Sequence, residues 1–501
     1  MRKSVTYTIV AILLLIVACI VCVPYYYGGQ FEKRVKFMAK NASAISGDKF
    51  RLVSYQRGWY ESLAEFNVQL NNTEAPKYGD YNTPYDLRVE MVIHHGPYVT
   101  AMKTNGDTYL TFGQGVIQYN AWLEKNGQNF LKEFYGKKPV ASGNIDIKFS
   151  GNTVTDFMIN PINVDNAKQR VTWQGLHVDA KFDPKKYVHM RMHSTPFLAS
   201  RGTDLLSVGE VNAELSHQKS IADFWLGNDN IDVANIEIKQ GGDELVALAN
   251  ATFTKQTQAV GANINAKARL AIPSLSIKGK PYSPIIMQTV SKDANAMLLR
   301  QMVNIAQATQ TATPKQQAAA LGQLLEVTKS LFANGFTLKH MLSANTPEGD
   351  VKLNIDLKND QHANKTAIVP VDAKVYLQLP KTMLVEALAW INTDGKAQQA
   401  TVQKILKRKG GEKLTPVQHA QAFIQQMLTA QFMTVKGGTY ATTLTYQNGA
   451  LLVNGVPIFG PKPEALTPAA GPHKKFFMAP VPMKTPAGNH NDTPPLLARA
   501  H

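Results

Sequence analysis

Ser62-Leu63-Ala64-Glu65-Phe66-Asn67-Val68-Gln69-Leu70 is the stretch whose period decides the fold. Ala64, Phe66, Val68 and Leu70 alternate with Glu65, Asn67 and Gln69. Successive side chains of a strand point to opposite faces, so this segment has one apolar and one polar face. On a helix the same residues would be scattered around the whole circumference. The period returns in Leu87, Val89, Met91 and Ile93, which precede His94-His95-Gly96-Pro97.

Downstream the alternation continues. It is carried by Leu176, Val178, Ala180 and Phe182, by Val188, Met190 and Met192, and by Val211, Ala213 and Leu215. Ala247, Ala249, Ala251 and Phe253 lead to Ala262, Ile264, Ala266, Ala268, Leu270 and Ile272. Small alanines at inward positions predict a thin or closely approached face. No fixed repeat length separates these strands, which argues against a solenoid or propeller and for antiparallel meanders.

Helical spacing interrupts the ladder. From Pro284 to Thr313 it is read from Ile286, Val290, Met297, Leu298, Met302 and Ile305; Pro314 opens a second helix closed by Asn334-Gly335. Strands resume at Val351, Leu353, Ile355 and Leu357 and at Ala373, Val375, Leu377 and Leu379. Two more helices are expected, one from Lys381 to Asn392 and one capped by Thr415 with Pro416 at its first position. A last hairpin ends near Phe459.

Before the first strand lies the most hydrophobic part of the chain. Arg2 and Lys3 precede an apolar run from Val5 to Val23, then Pro24, Tyr25, Tyr26 and Tyr27. Nineteen helical residues span roughly 28 Å, about one bilayer core. The tyrosines fall where an interfacial aromatic belt belongs. The run exceeds a secretory core in length and lacks a small-x-small cleavage site, so an uncleaved anchor is expected. Ile16-Val17-Ala18-Cys19 is a competing reading as a lipoprotein box that would lipidate Cys19; Ile20 to Val23 continue apolar where a lipoprotein turns polar. Arg2 and Lys3 favour an inside N-terminus, while Lys33, Arg34, Lys36 and Lys40 weaken that bias. Residues 28–46, with Phe31, Val35, Phe37 and Met38, read as a juxtamembrane helix.

Both cysteines, Cys19 and Cys22, sit in the apolar run, which excludes a disulfide framework or cysteine zinc site beyond it. That fits an oxidising compartment; a cysteine-free cytosolic domain is also consistent with it. The chain carries 53 Lys and Arg against 37 Asp and Glu. These charges are dispersed and no nucleic-acid motif accompanies them, so no nucleic-acid partner is expected. A basic surface facing anionic headgroups and a charge that serves only solubility are both compatible with this. The tail 460–501 holds nine of the chain's 26 prolines, too many for a packed core, and is expected to be disordered. Phe476 and Phe477 after Lys474-Lys475 are a candidate docking motif within it.

Four motifs stand out in order. They are Tyr27-Gly28-Gly29-Gln30-Phe31-Glu32; Tyr55, Arg57, Gly58, Trp59 and Ser62 within Ser54-Ser62; His95-Gly96-Pro97-Tyr98; and Tyr440 to Gly449, with Asn448-Gly449, followed by Asn454-Gly455. Together with the apolar start, they resemble the YdgA/YihF-like bacterial envelope proteins, domain-of-unknown-function family 945, over about residues 1–460. The resemblance implies an inner-membrane-anchored protein with its bulk in the periplasm and no assigned activity, so it carries no catalytic residue across. Read physically, Gly58 turns the chain, Gly96-Pro97 ends one strand, and Asn448-Gly449 closes a hairpin.

No Walker loop, Gly-x-Gly-x-x-Gly, Gly-x-Ser-x-Gly or His-Glu-x-x-His is present. His189 and His193 share a face with Arg191 but stand roughly 13 Å apart at strand rise, too far for one metal. His94 and His95 point to opposite faces. No cofactor, catalytic residue or metal ligand is assigned.

The expected fold is α+β and β-rich: one N-terminal transmembrane helix, then extended antiparallel sheets with helical insertions. The expected parts are a cytoplasmic stub and anchor (1–27), a juxtamembrane helix (28–46), a β-rich domain (47–283), a helical insertion (284–345), strands with two helices and a hairpin (346–459), and the tail (460–501). The function expected is non-catalytic binding in the envelope. Either the sheet holds lipid in a groove or the domain is a scaffold for another envelope protein; an enzyme with an unrecognised site is the third reading.

Overall fold

A computed structural model describes residues 22–40, 50–70, 85–123, 135–309, 313–359, 371–394 and 415–459, apart from residues 105, 168 and 448. The expected membrane run 5–23 lies outside these, apart from Cys22 and Val23, and so do Cys19, Asn448 and the tail with Phe476 and Phe477. Among the described residues, no helix is long and apolar enough to cross a membrane.

The first helix, α1, covers residues 22–40 and is followed by β1 (Phe50–Arg57), β2 (Glu61–Leu70) and β3 (Tyr85–His95). Then come β4 (Tyr98–Met102), β5 (Thr108–Phe112), β6 (Gly115–Leu123), β7 (Ala141–Ile147) and β8 (Thr153–Ile159). β4 and β5 form a separate two-stranded hairpin. All other described strands belong to one 26-stranded sheet in which every pairing is antiparallel.

Register gives this sheet two unlike faces. One row of directly paired residues starts Tyr55, Ala64, Met91, Tyr119, Gly143 and Phe157. It continues through Val178, Met192, Ala213, Ile231, Phe253 and Leu270, then Met287, Leu342, Leu353 and Leu377, and ends at Thr442. One residue further along each strand, the opposite face reads Asp156, Asp179, Arg191, Glu214, Asn230 and Thr254, then Arg269, Gln288, Met341, Asn354, Tyr376 and Thr443. Alternation along each strand has become a segregation of polarity across the sheet.

The packed core sits at the N-terminal end. Phe31, Val35 and Ala39, four residues apart on α1, are buried against Ala64, Phe66, Ile93 and Ile117. Full burial of Phe31 and Val35 contributes about 1.5–3 kcal/mol each. Phe37 and Met38 are 66% and 52% exposed, on the other side of α1.

Two helices, α2 (Ala296–Thr309) and α3 (Pro314–Ala333), are inserted between the paired strands Ile285–Asn295 and Thr337–Thr346. The helical reading from Pro284 therefore starts too early. Ile286 and Val290 are four apart, an even spacing that keeps them on one face of a strand as well as of a helix. Nor do the expected limits at 283/284 and 345/346 divide the sheet, because Ile285–Asn295 also pairs with Asn263–Ile272. The later helices, α4 (Lys381–Asp394) and α5 (Pro416–Thr429), fall where the sequence placed them. Thr415 and Gln418 exchange the two bonds of a capping box at the start of α5.

Candidate functional site

Three of the four sequence motifs meet where α1 crosses the first strands. The turn between β1 and β2 is closed by the Gly58 N–H donating to the Glu61 carbonyl at 2.9 Å, and a Cβ on Gly58 would overlap that oxygen. Arg57, just before this turn, lies 4.1 Å over the Tyr25 ring and donates to the Tyr25 carbonyl at 2.7 Å. Its Nη1 is 3.8 Å from Glu32, also on α1. Trp59 packs on Tyr25 with ring centroids 4.8 Å apart.

Beneath the helix, His95 is 3% exposed and Ser62 1%. His95 Nδ1 lies 2.9 Å from the Trp59 carbonyl, and Nε2 lies 3.0 Å from Ser62 Oγ. A carbonyl only accepts, so Nδ1 carries the proton and the neutral ring's Nε2 accepts from the Ser62 hydroxyl. Burial pushes His95 below its ordinary pKa; the Trp59 carbonyl opposes this, and Arg57 adds to the lowering. Phe31 stacks over the ring at 6.1 Å, and a Cβ on Gly28 would come within 2.5 Å of His95 Cε1. Gly28 and Gly29 thus lie inside α1 and let it approach the imidazole and the Arg57 guanidinium closely. Gly96 donates to the Gln114 carbonyl at 2.7 Å, and a Cβ there would overlap the Gly113 carbonyl. Pro97, joined to it by a cis peptide, opens the path into β4.

A serine bonded to a neutral imidazole is the core of a nucleophilic triad. Here the third partner is a backbone carbonyl, and Phe31 and Gly28 close the site from above. The arrangement lies beneath α1, with both side chains almost wholly buried.

The fourth motif lies at the other end of the sheet and does not join this cluster. Gly449 turns the chain between Thr439–Gln447 and Ala450–Val453 with φ +75°. Asn454, at φ +48°, accepts from the Thr443 N–H at 2.7 Å and donates to the Gln431 carbonyl at 3.1 Å. Gly455 completes that turn at φ +82°.

Two polar groupings escaped sequence reasoning because strand register, not spacing, assembles them. Asp156, His177 and Asp179 each bring one ligand-type atom to within 4.8 Å of the others. Asp156 already accepts from His177 Nε2 at 2.7 Å and from the Thr104 N–H and hydroxyl at 3.1 and 2.8 Å. Burial would raise its pKa, but these donors outweigh it and hold the carboxyl below its ordinary value. On the apolar face, Asp229 bonds His217 and, at 3.1 Å, Lys255. There too the donors outweigh burial and keep the carboxyl low. Both groupings satisfy themselves. His189, Arg191 and His193 lie on the polar face, where His189 and Arg191 approach Glu214 and His193 bonds Asn212 at 2.8 Å.

The larger feature is the apolar face beyond α1. Val178, Met192, Ile231, Phe253, Leu270, Met287, Leu342, Leu353 and Leu377 remain half-buried, and Ala213 is buried. Thr289 and His340 pair at 2.9 Å on this face and so remove their own polarity.

A family described as "bacterial protein of unknown function (DUF945)" matches residues 1–459. The chain belongs to this family. No curated protein and no solved structure matches it. The DUF945 match ends with the last described strand, Val456–Phe459, so it takes in the whole described sheet and the helix clasped to it. Within this DUF945 chain, the N-terminal motif residues build the clasp and the C-terminal ones build turns.

Proposed function

We propose that this protein is a non-catalytic binding protein of the bacterial cell envelope that holds lipid acyl chains on the apolar face of its sheet. Residues 5–23 anchor it in the inner membrane, and the sheet lies on the periplasmic side. The observation carrying this reading is the apolar row from Val178 to Leu377, partly accessible except at the buried Ala213 and backed by a polar row on the other face. A face of this kind has a standing incentive to take up apolar matter from water, at roughly 25 cal/mol per Å2 covered. Acyl chains suit it because they need no specific hydrogen bonds, and the polar groups on the face, Asp229 and His340 among them, are already paired. A basic chain is also suited to anionic headgroups.

The test places a photoreactive phenylalanine analogue at Leu353 or at Asn354 in the full chain, in cells. These neighbours point to opposite faces. Cross-linking at position 353 is expected to add the mass of a phospholipid or glycolipid, with no such product from position 354. A discrete protein adduct at 353 would move the reading to an envelope scaffold, and equal labelling at both positions would end the groove hypothesis.

A further inference from the structure

The start of α1 is ringed by aromatic side chains, most of them exposed, from four separate segments. Tyr26 packs on Tyr27 at 5.5 Å, Tyr27 on Phe149 at 5.8 Å, Phe149 on Phe112 at 4.8 Å and Phe112 on Tyr98 at 4.9 Å. On the β1–β2 side, Tyr25 packs on Trp59, next to the exposed Tyr60. Tyr27 is half-buried against the core, and the exposure of the others runs from 40% at Phe149 to 66% at Tyr98.

The β4–β5 hairpin carries this collar outward. Val99 and Ala101 pack with Val116 as its buried face, while Met102 and Leu110 on its other face are 55% and 70% exposed. The hairpin is held firmly. Tyr109 donates to Asp146 at 2.6 Å, Asn144 to the Met102 carbonyl at 2.6 Å, and Lys148 to Thr111 at 2.5 Å. Its apolar face is therefore presented by a fixed support.

We infer that this collar and the outer face of the β4–β5 hairpin sit in the interfacial zone of a lipid bilayer. Three features favour a bilayer as the occupant. The collar surrounds Tyr25, two residues after the apolar run that ends at Val23, so the chain itself delivers a membrane to this place. Its composition is Tyr, Trp and Phe, whose amphipathic rings favour the headgroup level. Leu110 and Met102 project from the hairpin as insertion residues without charge. The collar would fix the angle at which the first strands meet the membrane and so bring the start of the apolar face to the lipid. The inference rests on the membrane-anchored reading above.

The test uses the full chain with Cys19 and Cys22 replaced by Ser, reconstituted in phosphatidylethanolamine–phosphatidylglycerol vesicles. Single spin labels are introduced through Ile12→Cys in the apolar run, Leu110→Cys in the hairpin, or Gln256→Cys on the exposed polar face. Relaxation by oxygen, which concentrates in the bilayer, is compared with relaxation by a water-soluble nickel chelate. Oxygen is expected to dominate at positions 12 and 110, with at least a several-fold higher oxygen-to-nickel ratio than at 256. Membrane-like accessibility at 12 with water-like accessibility at 110 would overturn the collar and leave the anchor standing. Water-like accessibility at 12 would overturn the membrane reading and the collar with it. Spin–spin broadening at 110 without oxygen preference would assign the face to a second copy of the chain and also overturn the inference.

Discussion

At the scale of single residues, the clasp turns on one hydrogen bond. Ser62→Ala leaves His95 Nε2 buried with nothing to accept from, which costs about 1–3 kcal/mol. The expected result is a lower urea midpoint at unchanged slope. The same imidazole makes stability depend on pH. Its folded pKa lies below the unfolded value of 6.5, so near and below that value the unfolded chain binds the extra proton first. Stability from this group is therefore full above pH about 6.5 and falls as pH drops toward the depressed folded value. His95→Gln should flatten that part of a midpoint-against-pH curve. Asp156 and Asp229 contribute their own losses further down, in the acid range where carboxylates protonate. None of this was legible from spacing. Ser62 and His95 are 33 residues apart, and only the register pairing Glu61 with His94 and Ser62 with Ile93 brings them together.

At the scale of elements, α1 is held by close approach. Gly28→Ala gains about 1 kcal/mol of helix propensity, yet its methyl meets a buried ring that has no free direction to move. The clash should win. Amide exchange in residues 25–40 is expected to quicken by at least tenfold, while strands such as Val371–Pro380, far along the ladder, keep their protection. The elements themselves were largely readable. Strict alternation in Ala64, Phe66, Val68 and Leu70 marked a strand, and Thr415-Pro416 marked a helix start, because each is a local backbone preference. Ile285–Asn295 misled because even spacings satisfy both periods. The polarity of the sheet faces could be guessed strand by strand. That the faces align across seventeen strands required the register.

At the scale of the whole molecule, the apolar row is the feature to perturb. Seventeen neighbouring strands at about 4.8 Å spacing make a path of roughly 80 Å measured along the ladder. Leu353→Lys with Met287→Lys places two charges on half-buried positions of that path, from which a long lysine stem can carry its ammonium to water. Thermal stability should change by only about 1 kcal/mol. Lipid retained by the purified protein, measured by mass spectrometry, should fall at least several-fold. Asn354→Lys on the polar face should leave it unchanged.

The antiparallel ladder also bears on how the molecule is made. Each strand of the main row pairs with strands close to it in sequence, β2 with β1 and β3, β7 with β6 and β8, Thr337–Thr346 with Ile285–Asn295 and Gly349–Asn359. Among the described residues, no late strand pairs with an early one. Contacts of short sequence separation form quickly, and an N-terminal portion can settle before the rest exists. With α1 and β1–β3 as the seed, the sheet is able to grow one strand at a time as the chain emerges. In the main row each new strand would cover the edge left by the row's previous strand, while Ile162–Asp165, Arg170–Trp173, Phe197–Arg201 and Asp204–Val208 build a second short ladder whose edge waits for Trp225–Gln240 to join the two.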